Sequence, residues 1–259
     1  FLEPFKVRSF RILISIYLFA FLAMDIVSTV FAYYMNYYLK RPGELNYVLG
    51  AMLITQVLMV PVVVNLANKI GKAKVVMYSI FVWAAAVILL SILQPSWGSM
   101  FIYINAVIMG LGIAGCVVMP WLMFPDVTDV GELAFGRHNA GSFSGIMTFM
   151  RKFSSAVGIF IVSTLLDIAG YVKPYEAVID GVTKEVLAQQ PQSVLTTLKI
   201  VVVIIPLILL TVTFFAARKY PLSQDIVKKI SGYLEFKKGK ADESPVTEEE
   251  MEALKKELI

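Results

Sequence analysis

The sequence predicts an all-α membrane protein, a bundle of six transmembrane helices. Three observations carry that reading. Of the 259 residues 58% are hydrophobic and only 16% are charged, whereas soluble domains run near 45–50% apolar with about 25% charge. Six stretches reach the roughly 20 apolar residues that a helix needs to cross a bilayer. Within them the apolar residues run continuously rather than alternating, which excludes a transmembrane barrel.

The first stretch runs from Phe10 to Leu39, with its apolar body ending near Phe31. The second covers Asn46–Leu66, the third Val75–Leu93 and the fourth Met100–Met123. A fifth runs from Ser142 to Ile168 and the sixth from Ile200 to Ala217. Residues 1–220 therefore form the bundle, and residues 221–259 form a tail of different character. Pro61, Pro120 and Pro206 fall inside spans, where proline bends a helix. Gly110, Gly112 and Gly115 put small residues where another helix can approach closely. The chain opens Phe1-Leu2-Glu3-Pro4, without an initiator methionine or a signal-peptide pattern, and reads as a segment of a longer protein.

Lys and Arg are distributed unevenly between the spans. Lys6, Arg8 and Arg11 precede the first span, Lys69, Lys72 and Lys74 separate the second from the third, and Arg218, Lys219, Lys228 and Lys229 follow the sixth. With alternating spans these all lie on one side, which the positive-inside rule makes cytoplasmic, so both termini are expected there. The opposite connections are weaker: residues 94–98 are uncharged, and Glu176, Asp180, Lys184 and Glu185 are mixed within a long loop, Lys173–Thr197. Lys40 and Arg41 run against the rule, with Glu44 as an offset. The formal charge of +4 fits membrane topology and shows no basic patch of the kind that nucleic acid requires. One cysteine, Cys116, and one histidine, His138, give little material for a disulfide or a zinc site. No His-rich or Ser/His constellation sits at a span end, so no catalytic centre is expected.

A charge in mid-bilayer costs about 2.5–3.5 kcal/mol on insertion scales and marks a functional candidate. Lys152 lies ten residues into the fifth span, roughly 15 Å from its inner end at 1.5 Å per residue. It is expected to face a polar cavity. Thr148, one turn earlier, shares its face. Asp25 in the first span lies at a depth that allows pairing with Lys152, or bonding locally to Ser28 or Thr29. Arg151, about 100° around the helix, is expected to snorkel inward or to meet the acidic loop that precedes the fifth span. Trp121, after Pro120, suits either stacking on a ligand or anchoring at the interface. Between the fourth and fifth spans an acidic loop carries Asp126, Asp129 and Glu132, followed by Arg137. Lys69, Lys72, Lys74 and Arg137 are its available partners, and such pairs suit a gate. In the tail, Ile226, Ile230, Tyr233 and Leu234 line one face of a short helix suited to a membrane surface. Thr247 and Glu250 form a capping-box pattern ahead of Met251, Leu254 and Leu258. A partly ordered, solvated tail is the leading expectation for this segment.

The run Met119-Pro-Trp-Leu-Met-Phe-Pro-Asp126-Val-Thr-Asp129-Val-Gly-Glu132, then Gly136-Arg-His-Asn139 and Met150-Arg-Lys152, resembles the glycoside–pentoside–hexuronide:cation symporters of the major facilitator superfamily. The resemblance covers essentially the whole chain and is specific, because several spaced elements agree in order. It implies a twelve-span protein of two six-helix bundles, of which this chain is the second. It also implies alternating access around a central cavity, driven by sodium or proton as coupling ion, with the acids of the ion site supplied mainly by the amino-terminal half. Lys152 matches the family's lysine near the cation and sugar sites, and Thr148 a threonine one turn earlier. Where the best-known member of that family has a sugar-stacking tryptophan, nine residues before Asp126, this sequence has Val117.

The leading expectation is thus half of a cation-coupled symporter for a sugar or glycoside, in the plasma (inner) membrane. Its partners would be a small-molecule substrate, membrane lipid and the amino-terminal six-helix half. Pro120-Trp121 through Asp126 and Leu166-Asp-Ile-Ala-Gly-Tyr171 also resemble the lysophospholipid symporters, so a lipid or other amphiphile is the alternative. A stand-alone six-span channel or scaffold is a third reading, and a membrane enzyme the remotest.

Overall fold

The computed structural model describes residues 2–179 and 182–259. A short 3-10 turn, Glu3–Lys6, leads into α1 (Arg8–Tyr33), which continues through a π-helical turn, Tyr34–Tyr38. Then follow α2 (Leu45–Ile70), α3 (Lys72–Ile92), α4 (Ser99–Phe135) and α5 (Ala140–Ile168). Strands β1 (Tyr175–Ile179) and β2 (Val182–Val186) come next, and α6 (Gln192–Arg218), α7 (Gln224–Lys237) and α8 (Glu248–Leu258) complete the chain. Six of these helices, α1 to α6, are long and apolar enough to cross a membrane. The six-span reading therefore stands.

Three boundaries differ from the sequence reading. The stretch expected as an acidic loop is helix: α4 runs on for 37 residues to Phe135, carrying Asp126, Asp129 and Glu132 with it. Prolines 120 and 125 lie inside that helix without ending it. Helix α6 starts at Gln192, eight residues before the expected Ile200. The long connection ahead of it holds an antiparallel hairpin, Tyr175 opposite Val186 and Ile179 opposite Val182. Asp180 lies outside the described residues.

Helix α1 sits centrally and packs against α4, α5 and α6. Helix α4 packs against α1, α2 and α3, and α3 also meets α6. Helices α1 and α4 are the most enclosed, whereas α2 and α5 leave most of their surface open. Two buried polar side chains are answered across the seams. The Asn105 Nδ2 donates to the Ala86 carbonyl at 2.7 Å, and the Tyr34 hydroxyl donates to the Leu90 carbonyl at 2.9 Å. Each bond satisfies a group that has no water to turn to in hydrocarbon. On the same end as the hairpin, Arg41 donates to Glu44, to the Ser99 hydroxyl and to the Trp97 carbonyl. The basic residue that ran against the charge rule is thus used as a local brace.

Small residues set the α3–α4 distance. A Cβ on Gly112 would lie 2.4 Å from the Trp83 backbone nitrogen, and one on Gly115 would lie 1.9 Å from the Ser79 hydroxyl. Gly112→Ala must therefore push two backbones apart, and such overpacking costs about 1–3 kcal/mol. The expected result is a lower thermal midpoint in detergent than wild type. Gly50→Ala, where a Cβ meets nothing within 4 Å, should leave the midpoint unchanged or raise it. Between α2 and α3 the chain turns on one residue, Gly71, at φ +96°. An L side chain is strained there, so glycine allows two spans to be joined with almost no loop.

Part of the tail is drawn onto the bundle, while residues 235–240 are exposed. Ile230, Tyr233 and Leu234 of α7 are buried, and both α7 and α8 pack against the end of α4. Thr247 and Glu250 close the expected capping box at the start of α8, and Met251 and Leu258 are buried behind it. The apolar face of α7 has a protein partner because α4 extends far enough to offer one.

Candidate functional site

Helix α1 presents Tyr17, Phe21 and Asp25 at four-residue spacing, hence on one face. Helix α5 presents Arg151, Ser154 and Gly158 toward it. A Cβ on Gly158 would stand 3.1 Å from that of Asp25, so glycine lets the two backbones close at the level of the charge. Asp25 is buried. Its carboxylate accepts two bonds from Arg151, Nη1 to Oδ2 at 2.6 Å and Nη2 to Oδ1 at 2.9 Å, and a third from the Ser154 hydroxyl at 3.2 Å. Two parallel guanidinium bonds make the strong, orientation-fixing form of an ion pair. The Arg151 guanidinium also lies over the Phe21 ring, 4.7 Å from its centroid, a further attraction for a cation in a poorly hydrated place.

This geometry corrects the sequence reading of the pair. Asp25 is held by Arg151, not by Lys152, and Arg151 neither snorkels nor meets the acidic segment. Thr29 bonds the Asp25 backbone carbonyl, at 2.8 Å, rather than its carboxylate. Lys152 and Thr148 are both exposed on the open side of α5, among Phe149, Phe153 and Phe160. Lys152 has no ion pair or hydrogen bond among the described residues. Trp121 on α4 is 48% exposed and meets the Tyr17 ring edge-on at 5.6 Å. The Tyr17 ring is fully buried, and its hydroxyl finds no partner among the described residues. The sequence reading passed over Tyr17 and Ser154, although their spacing from Asp25 and Arg151 was the available signal.

A second polar cluster lies at the end of the bundle where both termini emerge. The Lys72 ammonium donates to Asp126 Oδ2 at 2.6 Å and to the Leu122 carbonyl at 2.7 Å. Glu132 accepts from Lys238 at 2.7 Å and meets His138 Nδ1 at 2.9 Å. Arg137, expected to pair with the acids of its own segment, instead bonds Glu3 at 2.6 Å. That bond holds the Glu3 carboxyl below its usual range. Asp129 forms no ion pair among the described residues. Of the expected cationic partners only Lys72 is used on α4; the other, Lys238, comes from the tail. Among the described residues no three His, Cys, Asp or Glu side chains converge as a metal site would require.

The chain is similar in sequence to known symporters. An uncharacterized symporter of Synechocystis sp. is 27% identical over 223 residues, 86% of this chain and 40% of the relative. Sodium-dependent lysophosphatidylcholine symporter 1 of Mus musculus is 27% identical over 216 residues, 82% of this chain and 38% of the relative. The uncharacterized symporter YnaJ of Bacillus subtilis is 24% identical over 239 residues, 90% of this chain and 48% of the relative. The chain thus spans less than half the length of the relatives it matches. The model of the family described as MFS/sugar transport protein matches residues 1–224. With its six spanning helices, the chain is an integral, multi-pass membrane protein with the fold of a major facilitator half, and it belongs to the MFS/sugar transport protein family.

Proposed function

We propose that this chain is the carboxyl-terminal half of a cation-coupled symporter that works by alternating access, with both termini in the cytoplasm. One observation carries the reading. Mid-span on α5, the Lys152 ammonium, unpaired among the described residues, stands on an open face beside a carboxylate and a guanidinium that neutralise each other. A lone charge at that depth is costly and calls for an opposite charge from outside this chain. The amino-terminal half supplies it, from carboxylates that also bind sodium or a proton.

The geometry favours an amphiphilic substrate. The open side of α5 sets Thr148 and Lys152 among three phenylalanines, which suits a charged head with an apolar body better than a ring of hydroxyls. Val117, partly buried, adds no aromatic platform at the position where the best-known member of the symporter family it resembles has a sugar-stacking tryptophan. A sodium-dependent lysophospholipid symporter among the relatives points the same way. The second reading is a sugar or glycoside, favoured by the family description and by the exposed ring of Trp121. At the terminal end, the Lys72–Asp126 and Glu132–Lys238 pairs act as a gate closed in this conformation.

The test is uptake by proteoliposomes holding the full-length protein, with an inward sodium or proton gradient. Lysophosphatidylcholine is the probe in one arm and a glycoside in the other. We expect gradient-dependent uptake of the lysolipid, and slower turnover with unchanged equilibrium binding in Asp126→Asn. Glycoside uptake alone selects the second reading, and uptake indifferent to both gradients removes cation coupling.

A further inference from the structure

We propose a binding site for an anionic phospholipid headgroup at the terminal end of the α3–α6 seam, separate from the mid-span site. A groove of about 490 Å³ opens there. Lys69, Lys74 and Arg218 line it, together with Gly71 and Ala73 at the start of α3. All three basic side chains are exposed, and none has an ion pair or hydrogen bond among the described residues. Lys72, which also reaches the groove, is already neutralised by Asp126. Asp225 at the rim is the groove's carboxylate, and it pairs with none of the three. Three uncommitted positive charges thus face one negative charge.

The floor and the surroundings say which anion fits. Ile70, Met77, Pro221 and Leu222 give the groove an apolar wall. Deeper into the span, Tyr78, Phe81 and Phe215 are exposed on α3 and α6, with Phe81 meeting Phe214 edge-on across the seam at 5.3 Å. A molecule with a phosphate at the groove and acyl chains along that aromatic seam satisfies both parts at once. A basic pocket between helices at a membrane face is the form that anionic headgroup sites take. The backbone amides at the start of α3 add to the attraction, since a helix N-terminus favours negative charge. No residue of α5, the helix that carries Lys152, lines this groove, so the lipid bound here is a structural or regulatory ligand and not the transported substrate.

Native mass spectrometry of the full-length protein in detergent tests this. Phosphatidylglycerol and phosphatidylcholine are the lipids added, and inorganic phosphate is the competitor. The expected result is retention of phosphatidylglycerol well above phosphatidylcholine. In Lys69→Gln/Lys74→Gln/Arg218→Gln its apparent affinity should fall on the order of a hundredfold, a factor of about five for each basic side chain near the surface. Phosphatidylcholine adducts should not change. All three substitutions are at exposed positions outside the core, and an unchanged thermal midpoint confirms that the variant is folded. Equal retention of the two lipids, or retention unaffected by the triple substitution, overturns the proposal. Displacement by millimolar phosphate would show a site for the free anion and would equally overturn it.

Discussion

Lys152→Ala in the full-length protein is expected to abolish ion-driven accumulation of substrate while leaving membrane insertion intact. The structure strengthens the grounds for this expectation. Lys152 is a mid-span cation with no ion pair or hydrogen bond among the described residues, so the other half or the substrate is the expected source of its partner. If it organises the carboxylates of the coupling-ion site, substrate affinity depends on the ion, which is a coupling free energy between two sites. Removing the ammonium then uncouples them. Lys152→Arg should fail in large part too, because a guanidinium is broader and keeps its proton. The measurement is uptake with and without an ion gradient, beside surface expression. Normal gradient-driven accumulation in Lys152→Ala would show that the residue is structural.

The second large effect belongs to the neighbouring pair. Asp25→Leu leaves the Arg151 guanidinium without its carboxylate, and breaking a buried pair from one side costs about 3–5 kcal/mol. The lower end applies here, since the Arg151 side chain is 32% exposed and can reach toward polar surroundings. Such a loss is a large fraction of a domain's stability, so little folded protein is expected in mild detergent. Arg151→Leu alone should be similarly damaging. The double variant Asp25→Leu/Arg151→Leu removes both charges and should recover most of the thermal midpoint, because two apolar groups need no partner. If the two losses simply add in the double variant, the pair is not the unit that the geometry describes.

The sequence carried more of this than a reading span by span extracts. Span number, the close-packing role of Gly110–Gly115 and the capping box of α8 follow from local pattern and composition. The identity of the partner of Asp25 was also legible. On α5 the buried residues Phe143, Ile146, Met147, Ser154, Gly158, Val162 and Leu166 form one stripe, and Arg151 fills the gap between Met147 and Ser154 by a four- and a three-residue step, while Lys152 falls off it. Ranking the two by depth alone hid that difference. Similarly, Asp126, Asp129 and Glu132 recur every three residues, a helical spacing that argues for a continued α4. Acids and a second proline there suggested a loop, but lysines from α3 and the tail neutralise the charge and the helix persists. The docking of the tail was not legible, because it depends on Lys238 and Glu132 meeting across more than a hundred residues.

The length of α4 has a mechanical consequence. At 1.5 Å per residue its 37 residues extend about 55 Å, against a hydrocarbon core of about 30 Å. The excess lies at the end that carries Glu132, which Lys238 ties to the tail. A tilt of about 10° around mid-membrane would swing that end by roughly 5 Å on an arm of about 30 Å, more than the reach of a hydrogen bond. Helix α4 is therefore shaped as a lever pivoting at mid-membrane, with its short arm toward Ser99 and its long arm, which carries Trp121, under α7 and α8. Small rotations about mid-membrane arrive at the tail as displacements large enough to make or break its contacts.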